Sequence, residues 1–464
     1  MKRGCGILLH NTSLARKDGE GGMGRAAYRF LEQLSQAGQS YWQVLPFFYT
    51  QTNNPYQAAS AFAGDLRLVD AALLREEGLI TGEEDTPSFF MEAYKNGRET
   101  YCQEFTDFKY NNAFWLFDYA LFAVLKAHSA GRPAGEWEPG LKKRDPAEII
   151  AVTERYAEEI ESMQFAQFIF QKQWKALKQK ANFAGIKLIG EIPFYLAPGC
   201  VESWATPELF AQNGCSPGRP PMAEGDAGRR WNYLAYDWKH LQLHGYQWWV
   251  KRVRYALQFF DILRIDMLRE ADAFFSIPEG GLPKDGHWEA GPGKELCDTF
   301  RYWLGEVGII AGSDGAVAPV YFNSIEYNGY MRARVLEHAF GEMNSAELPH
   351  HYKRNDVCYT APPGGLTVRG WYGRLSGGQR EHVAHYLGAC GAPDIAEALT
   401  RAAMGSVAEL CILPMQDVLG LDIDASQYLG EGALDNWSWK LLHGQFGEKE
   451  IARLKELTAV YGRA

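Results

Sequence analysis

The stretch ILRIDMLRE, residues 262–270, follows Phe259–Asp261 and carries an apolar run onto a single carboxylate, Asp266, set between Arg264 and Arg269. Continuous apolar character is what a strand buried on both faces requires. A strand that delivers one carboxylate between two cations reads as the floor of an active site; a buried structural ion pair with Arg264 is the competing reading. Working outward, runs of the same kind recur at Gly6 to His10, Tyr41 to Leu45, Lys187 to Ile192, Val307 to Ala311, Val357 to Thr360 and Cys411 to Leu413. Helical patterns separate them, among them Ala26 to Ala37, Trp248 to Leu257, Arg380 to Leu387 and Ala396 to Ala403. Strands alternating with helices imply a parallel sheet covered on both faces, and the count suits a (β/α)8 TIM barrel better than an open sheet.

Between residues 66 and 180 the character changes. LVDAALLREEGL, FWLFDYALFAVLKAH and the long segment ending QKQWKALKQKA are helical in period, with Phe170, Trp174 and Leu177 on one face. The expected organisation is therefore a discontinuous barrel, 1–65 and 181–464, carrying a helical insertion subdomain over 66–180.

The chain of 464 residues has a net charge of −10, and its longest basic run is Lys142-Lys143-Arg144 beside Asp145. Such a surface repels phosphate backbones, so nucleic acid is not expected as a partner. Eight scattered cysteines without a C-x-x-C pair suggest reduced thiols. No apolar stretch approaches the roughly 18 to 20 residues that span a bilayer, and the N-terminal run is too short for a signal peptide. The expected location is cytoplasmic, with no membrane partner.

Two motifs fail on context. Gly19 to Gly24 matches G-x-G-x-x-G, but it does not follow directly on a strand, and the next strand ends Val44-Leu45-Pro46 without an acid. His382 and His385 in EHVAH lack the zinc order, and His350-His351 is no signature by itself, so neither metal nor cofactor is expected. In a barrel the working groups sit at strand C-termini. Those ends supply Tyr56, Glu191, Asp266 and Gln416-Asp417. Carboxylates and amides round one mouth, with Trp and Tyr nearby, suit carbohydrate chemistry.

The chain resembles the amylomaltases, 4-α-glucanotransferases of the α-amylase clan, over nearly its whole length. GCGILLHNTSLA is similar to the family's G-x-x-LH-x-TSL opening, and QSYWQVLP and NPYQAASAFAGD to its YWQ-x-LP and SPYQ-x-x-SAFAGN segments. GEIPFYLA with Trp204, RRWNYLAYDW, RID, LPMQDVLGL and DNWSWK resemble further family segments. The resemblance implies retaining transfer of α-1,4-glucan segments. In that chemistry an aspartate attacks the anomeric carbon, a glutamate serves as acid then base, and the pair stands about 5 to 5.5 Å apart.

On this resemblance Asp266 takes the nucleophile position, and Arg264 is the arginine that would orient it and hold it ionised. Tyr56, Glu191, Trp231, Tyr236, Arg269, Gln416 and Asp417 are expected to meet the substrate, an α-1,4-glucan or maltooligosaccharide. The departures are specific. The family's RIDHFRG is RIDMLRE here, so its histidine is Met267. Its A-E-D-L-G is Ala311-Gly312-Ser313-Asp314-Gly315, which puts Gly312 at the acid/base. Its Y-T-G-T-H-D-N-D-T-T-L-G-W-Y is YTAPPGGLTVRGWY at equal length, with Pro363 for the histidine and Gly364 for the third aspartate.

Because a general acid contributes about 10² to 10⁴-fold, ordinary transfer is expected to be weak or absent. Three readings follow: a degenerate member that binds glucan; a live enzyme whose acid has relocated to Asp314 or Glu270; and a scaffold whose altered pocket serves a protein partner.

Overall fold

A computed structural model describes residues 3–17, 22–82, 89–222, 226–312, 323–341, 345, 347–388, 394–430 and 432–464. Gly19 to Gly21 of the glycine motif and Asp314 lie outside the described residues.

Eight parallel strands close a barrel in chain order: β1 (Gly4–Leu8), β2 (Tyr41–Gln43), β3 (Lys187–Pro193), β4 (Ile262–Asp266), β5 (Ile309–Ala311), β6 (Met331–Val335), β7 (Asp356–Tyr359) and β8 (Leu410–Pro414). Strand β8 pairs back onto β1, with Gly4 opposite Leu410 and Leu8 opposite Pro414. The period of two along a strand divides the side chains between two cores. On β4, Ile262 joins Ile189, Ile310, Val357, Tyr359 and Ile412 in the cluster that fills the barrel. Leu263 and Ile265 belong to the larger cluster beneath the surrounding helices. Arg264 and Asp266, two and four residues past Ile262, therefore fall on the inner face. Gly6 is obligatory in β1 because a β-carbon there would meet the Tyr41 carbonyl oxygen at 2.5 Å.

The strands differ from the sequence expectation by one to three residues at their ends, and one was not expected at all. MRARV, the sixth strand, interleaves Met331, Ala333 and Val335 with two arginines, so it lacks the continuous apolar signature. Arg334 is nevertheless buried, because Asp356 and Glu347 accept from it at 3.1 and 2.7 Å.

From Leu66 to Phe183 every regular element is helical among the described residues. The last of these helices, Ala157–Phe183, buries Phe170, Trp174 and Leu177 as its periodicity implies. Trp174 Nε1 donates to the Phe259 carbonyl at 3.0 Å, which ties this helix to the entry of β4. Two excursions after β3 and β4 build a four-stranded antiparallel sheet from Ser216–Arg219, Arg229–Arg230, Ala273–Ile277 and His287–Ala290. This sheet, absent from the sequence expectation, stands beside the C-terminal mouth of the barrel. Among the described residues no helix is long and apolar enough to cross a membrane.

Candidate active site

The inner faces of neighbouring strands meet in a polar chain at the top of the barrel. Glu191 on β3 lies opposite Arg264 on β4, and Pro193 lies opposite Asp266. Arg264 Nη1 donates to Glu191 Oε2 at 2.6 Å, and its Nη2 pairs with Asp266 Oδ1 at 2.9 Å. Tyr56 donates to the same Glu191 oxygen at 2.9 Å, while Gln43 donates to Oε1 at 2.8 Å and accepts from Tyr359 at 2.9 Å.

Burial grades this chain from floor to surface. Glu191 is wholly buried, whereas the Asp266 side chain keeps 21% of its exposure. Burial raises the Glu191 pKa, and Arg264 offsets that only in part. Burial alone would lower the pKa of Arg264, but Glu191 and Asp266 outweigh it and hold the guanidinium well above its ordinary value. Burial, then the Glu191 charge, raise the Tyr56 phenol well above its ordinary value, so it stays protonated as a donor.

Above the floor opens a cavity of about 520 Å³. Its walls are aromatic and cationic: Tyr56, Trp231, Tyr233, Tyr428 and Trp437, with Arg229 and Arg230 from the antiparallel sheet and Arg264 below. Among its described lining residues Asp266 is the sole carboxylate. That size and lining suit a small ligand held by aromatic faces and a few polar groups.

The two glycines bear directly on this cavity. A β-carbon at Gly312 would come within 2.7 Å of Arg264 Nη2 and 3.0 Å of Asp266 Oδ1. Position 312 thus adjoins the nucleophile position, and the Arg264 guanidinium lies over it. Gly364 has φ +72°, and a β-carbon there would lie 2.5 Å from the Trp437 ring. Trp437 packs on Tyr56 with ring centroids 5.7 Å apart, filling the space a side chain at 364 would need. Pro363 lines the same wall, and its carbonyl faces the Tyr56 hydroxyl at 3.5 Å.

Other expected residues are placed elsewhere. Tyr236 is core, not cavity wall: its hydroxyl donates to the Phe194 carbonyl at 2.7 Å and accepts from Arg252 at 3.1 Å. An aromatic-rich segment does not reveal which ring faces inward. Gln416 and Asp417 are buried beside the 360–368 loop: Gln416 donates to the Ala425 carbonyl at 3.3 Å, and Asp417 accepts from Thr360 at 2.5 Å and from the Val368 amide at 2.9 Å. Arg269 is absent from the described lining and acts electrostatically on Asp272 and Arg332. Glu270 is buried and accepts from Tyr195 at 3.1 Å, also off the described lining. Sequence reasoning missed Tyr233, Tyr428 and Trp437. For Trp437 the DNWSWK segment carried the signal, without an indication that the ring enters the mouth.

An eight-stranded barrel with a carboxylate and aromatic rings at its C-terminal mouth is the architecture of a carbohydrate-active enzyme class. The family model of 4-alpha-glucanotransferase matches residues 9–444. A 4-alpha-glucanotransferase of Thermus thermophilus is 33% identical over 98% of each chain. The chloroplastic/amyloplastic 4-alpha-glucanotransferase of Solanum tuberosum is 31% identical over all of this chain and 87% of its own. The solved amylomaltase of Streptococcus agalactiae, in complex with acarbose, superposes with a TM-score of 0.94 at 29% identity, covering both chains completely. The chain belongs to the 4-alpha-glucanotransferase (amylomaltase) family.

Proposed function

We propose that this chain is a catalytically degenerate family member that holds α-1,4-glucan or maltooligosaccharide at the barrel mouth. Ordinary retaining transglycosylation is weak or lost. One observation carries the reading: Asp266 is the sole carboxylate among the described residues that line the cavity. Retaining chemistry needs a second carboxyl about 5 to 5.5 Å from the nucleophile. At position 312, beside Asp266, the chain offers only glycine, and the space above it is held by Arg264. Trp437 occupies the room beside Gly364, where the resemblance places a third carboxylate.

The aromatic wall supports retained binding. Tyr56, Trp231 and Tyr428 line the cavity, and aromatic rings are of the kind that meet the apolar faces of pyranose sugars. Glu270 as a relocated acid is disfavoured by its burial and its place off the described lining; replacing Asp314 with asparagine tests the other relocation.

The experiment has three arms. Maltotriose disproportionation should be absent at ordinary enzyme concentration, and calorimetry with maltoheptaose should show binding. An α-glucosyl fluoride, whose leaving group needs little acid help, should glycosylate Asp266 and leave Asp266→Asn unlabelled. Turnover of maltotriose that depends on Asp314 would replace this reading with that of a relocated acid.

A further inference from the structure

Trp437 stands between two cavities. The cavity over Asp266 has it as a wall, and so does a neighbour of about 270 Å³, lined among others by Thr12, Asn53, Gln427 and Ser438. The segment 53–56 is divided in the same way: Asn54 and Tyr56 line the first cavity, Asn53 and Pro55 the second. The two spaces are therefore parts of one cleft at the barrel mouth, partitioned by an indole and a loop.

The partition is held in place from several directions. The Trp437 amide donates to the Gln427 carbonyl at 2.6 Å. Asn436 beside it accepts from the Leu429 amide at 2.8 Å and donates to the Gly430 carbonyl at 2.7 Å. Tyr56 and Tyr428 pack on the indole with ring centroids 5.7 and 6.1 Å away, and Tyr56 is itself anchored on Glu191. Trp437 has φ +65°, a left-handed conformation that a bulky side chain adopts only at a cost in free energy. Such strain persists where the surroundings over-determine it, and it clusters at ligand clamps. The tip of the indole reaches Gly364: its Cη2 and Cζ3 lie 2.5 and 2.7 Å from where a β-carbon there would stand. Glycine at 364 and the ring of Trp437 are thus a matched pair.

We infer that Trp437 is an end-stop, which makes the barrel mouth a site for the terminus of an α-1,4-glucan and not for an internal segment of a long chain. This rests on the glucan-binding reading above and adds to it the register in which the ligand lies. A cavity of about 520 Å³ suits a short stretch of sugar units. In a cleft open along its length, a longer chain binds in more registers and covers more wall, so affinity climbs with chain length. Against a fixed partition, only the register that brings a chain end to the wall fills the cavity, and further units extend into solvent. The hydroxyl and amide residues of the second cavity are of the kind that pair with sugar hydroxyls, so opening the partition lengthens the site.

The test is calorimetric titration of the full chain with maltotetraose, maltopentaose and maltoheptaose. The parent should bind all three with affinities within about twofold of one another. Trp437→Ala, and Trp437→Gly, which also relieves the left-handed backbone, should bind maltoheptaose about tenfold more tightly than maltotetraose. Trp437→Phe keeps a ring in the partition and should keep the flat profile. Parent affinity that climbs with chain length overturns the end-stop and leaves glucan binding standing. A flat profile in the opened variants, folded by near-ultraviolet circular dichroism, does the same. Should neither opened variant fold, the profile of the parent decides alone. If the parent binds none of the three, the glucan reading falls and the end-stop falls with it.

Discussion

Gly312 and Arg264 contend for one volume: a β-carbon on Gly312 would meet the guanidinium Nη2 at 2.7 Å and its Cζ at 2.9 Å. The missing acid is therefore more than an absent side chain. Arg264 is held there by Glu191 and Asp266, so it cannot withdraw without breaking a buried pair. Gly312→Glu, alone or with Ser313→Asp, is expected to restore no maltotriose disproportionation. It should destabilise the fold by about 1 to 3 kcal/mol, the range for overpacking a filled site. Urea denaturation and a glucose-release assay on the same samples check both parts, and a gain of transfer would refute the steric argument.

The second lost position makes a coupled prediction. Gly364→Asp places a side chain at φ +72° and into the Trp437 ring. The left-handed backbone alone costs about 1 to 2 kcal/mol. Trp437→Ala removes the collision but not the backbone cost. A double-mutant cycle should therefore show the pair less destabilised than the sum of its members, by about 0.5 to 3 kcal/mol. Strict additivity would mean that Trp437 does not hold the space.

Much of this was legible in the sequence, because the informative signals were local. Apolar runs marked seven of eight barrel strands, and the one run that escaped was the strand that buries an arginine among carboxylates. Asp266 and Arg264 could be placed together because two residues along a strand share a face. What escaped depends on long-range approach. That Trp437 lies across from Gly364, 73 positions away in the chain, follows from loop paths that no local pattern encodes. Tyr236 erred for the same reason, since one ring among several in YLAYDW turns into the core.

Arg264 also governs stability. Replacing it with methionine strands Glu191, wholly buried, with its positive partner gone. Breaking a buried pair from one side costs about 3 to 5 kcal/mol. The sign with pH follows from Glu191, whose pKa burial already raises. Without the arginine it rises further, so the neutral acid is tolerated and the anion is not. Arg264→Met should thus be less destabilised relative to the parent at pH 5 than at pH 8, as urea denaturation at the two values would measure. A penalty independent of pH would mean that Glu191 is not the stranded charge.

Asp417 gives the sharpest pH signature. It bridges both ends of the loop that carries Pro363 and Gly364, accepting from Thr360 and from the Val368 amide. Burial raises its pKa from 3.8 to about 6, although those two hydrogen bonds favour the anion. Close by, burial and then the charge of Asp417 raise Glu337 well above the usual carboxylate range, and its Oε1 has no partner. The folded state therefore prefers the protonated form of Asp417. The stabilisation this provides is complete below pH 4 and is lost as pH rises through about 6. A shift of that size corresponds to about 3 kcal/mol. Asp417→Asn carries no titration, and it also relieves Glu337 of a neighbouring charge. The stability of the parent relative to Asp417→Asn should fall by about 3 kcal/mol between pH 4 and pH 7, read from urea denaturation of both proteins across that range. A constant difference would show that Asp417 titrates in the fold as it does in the unfolded chain.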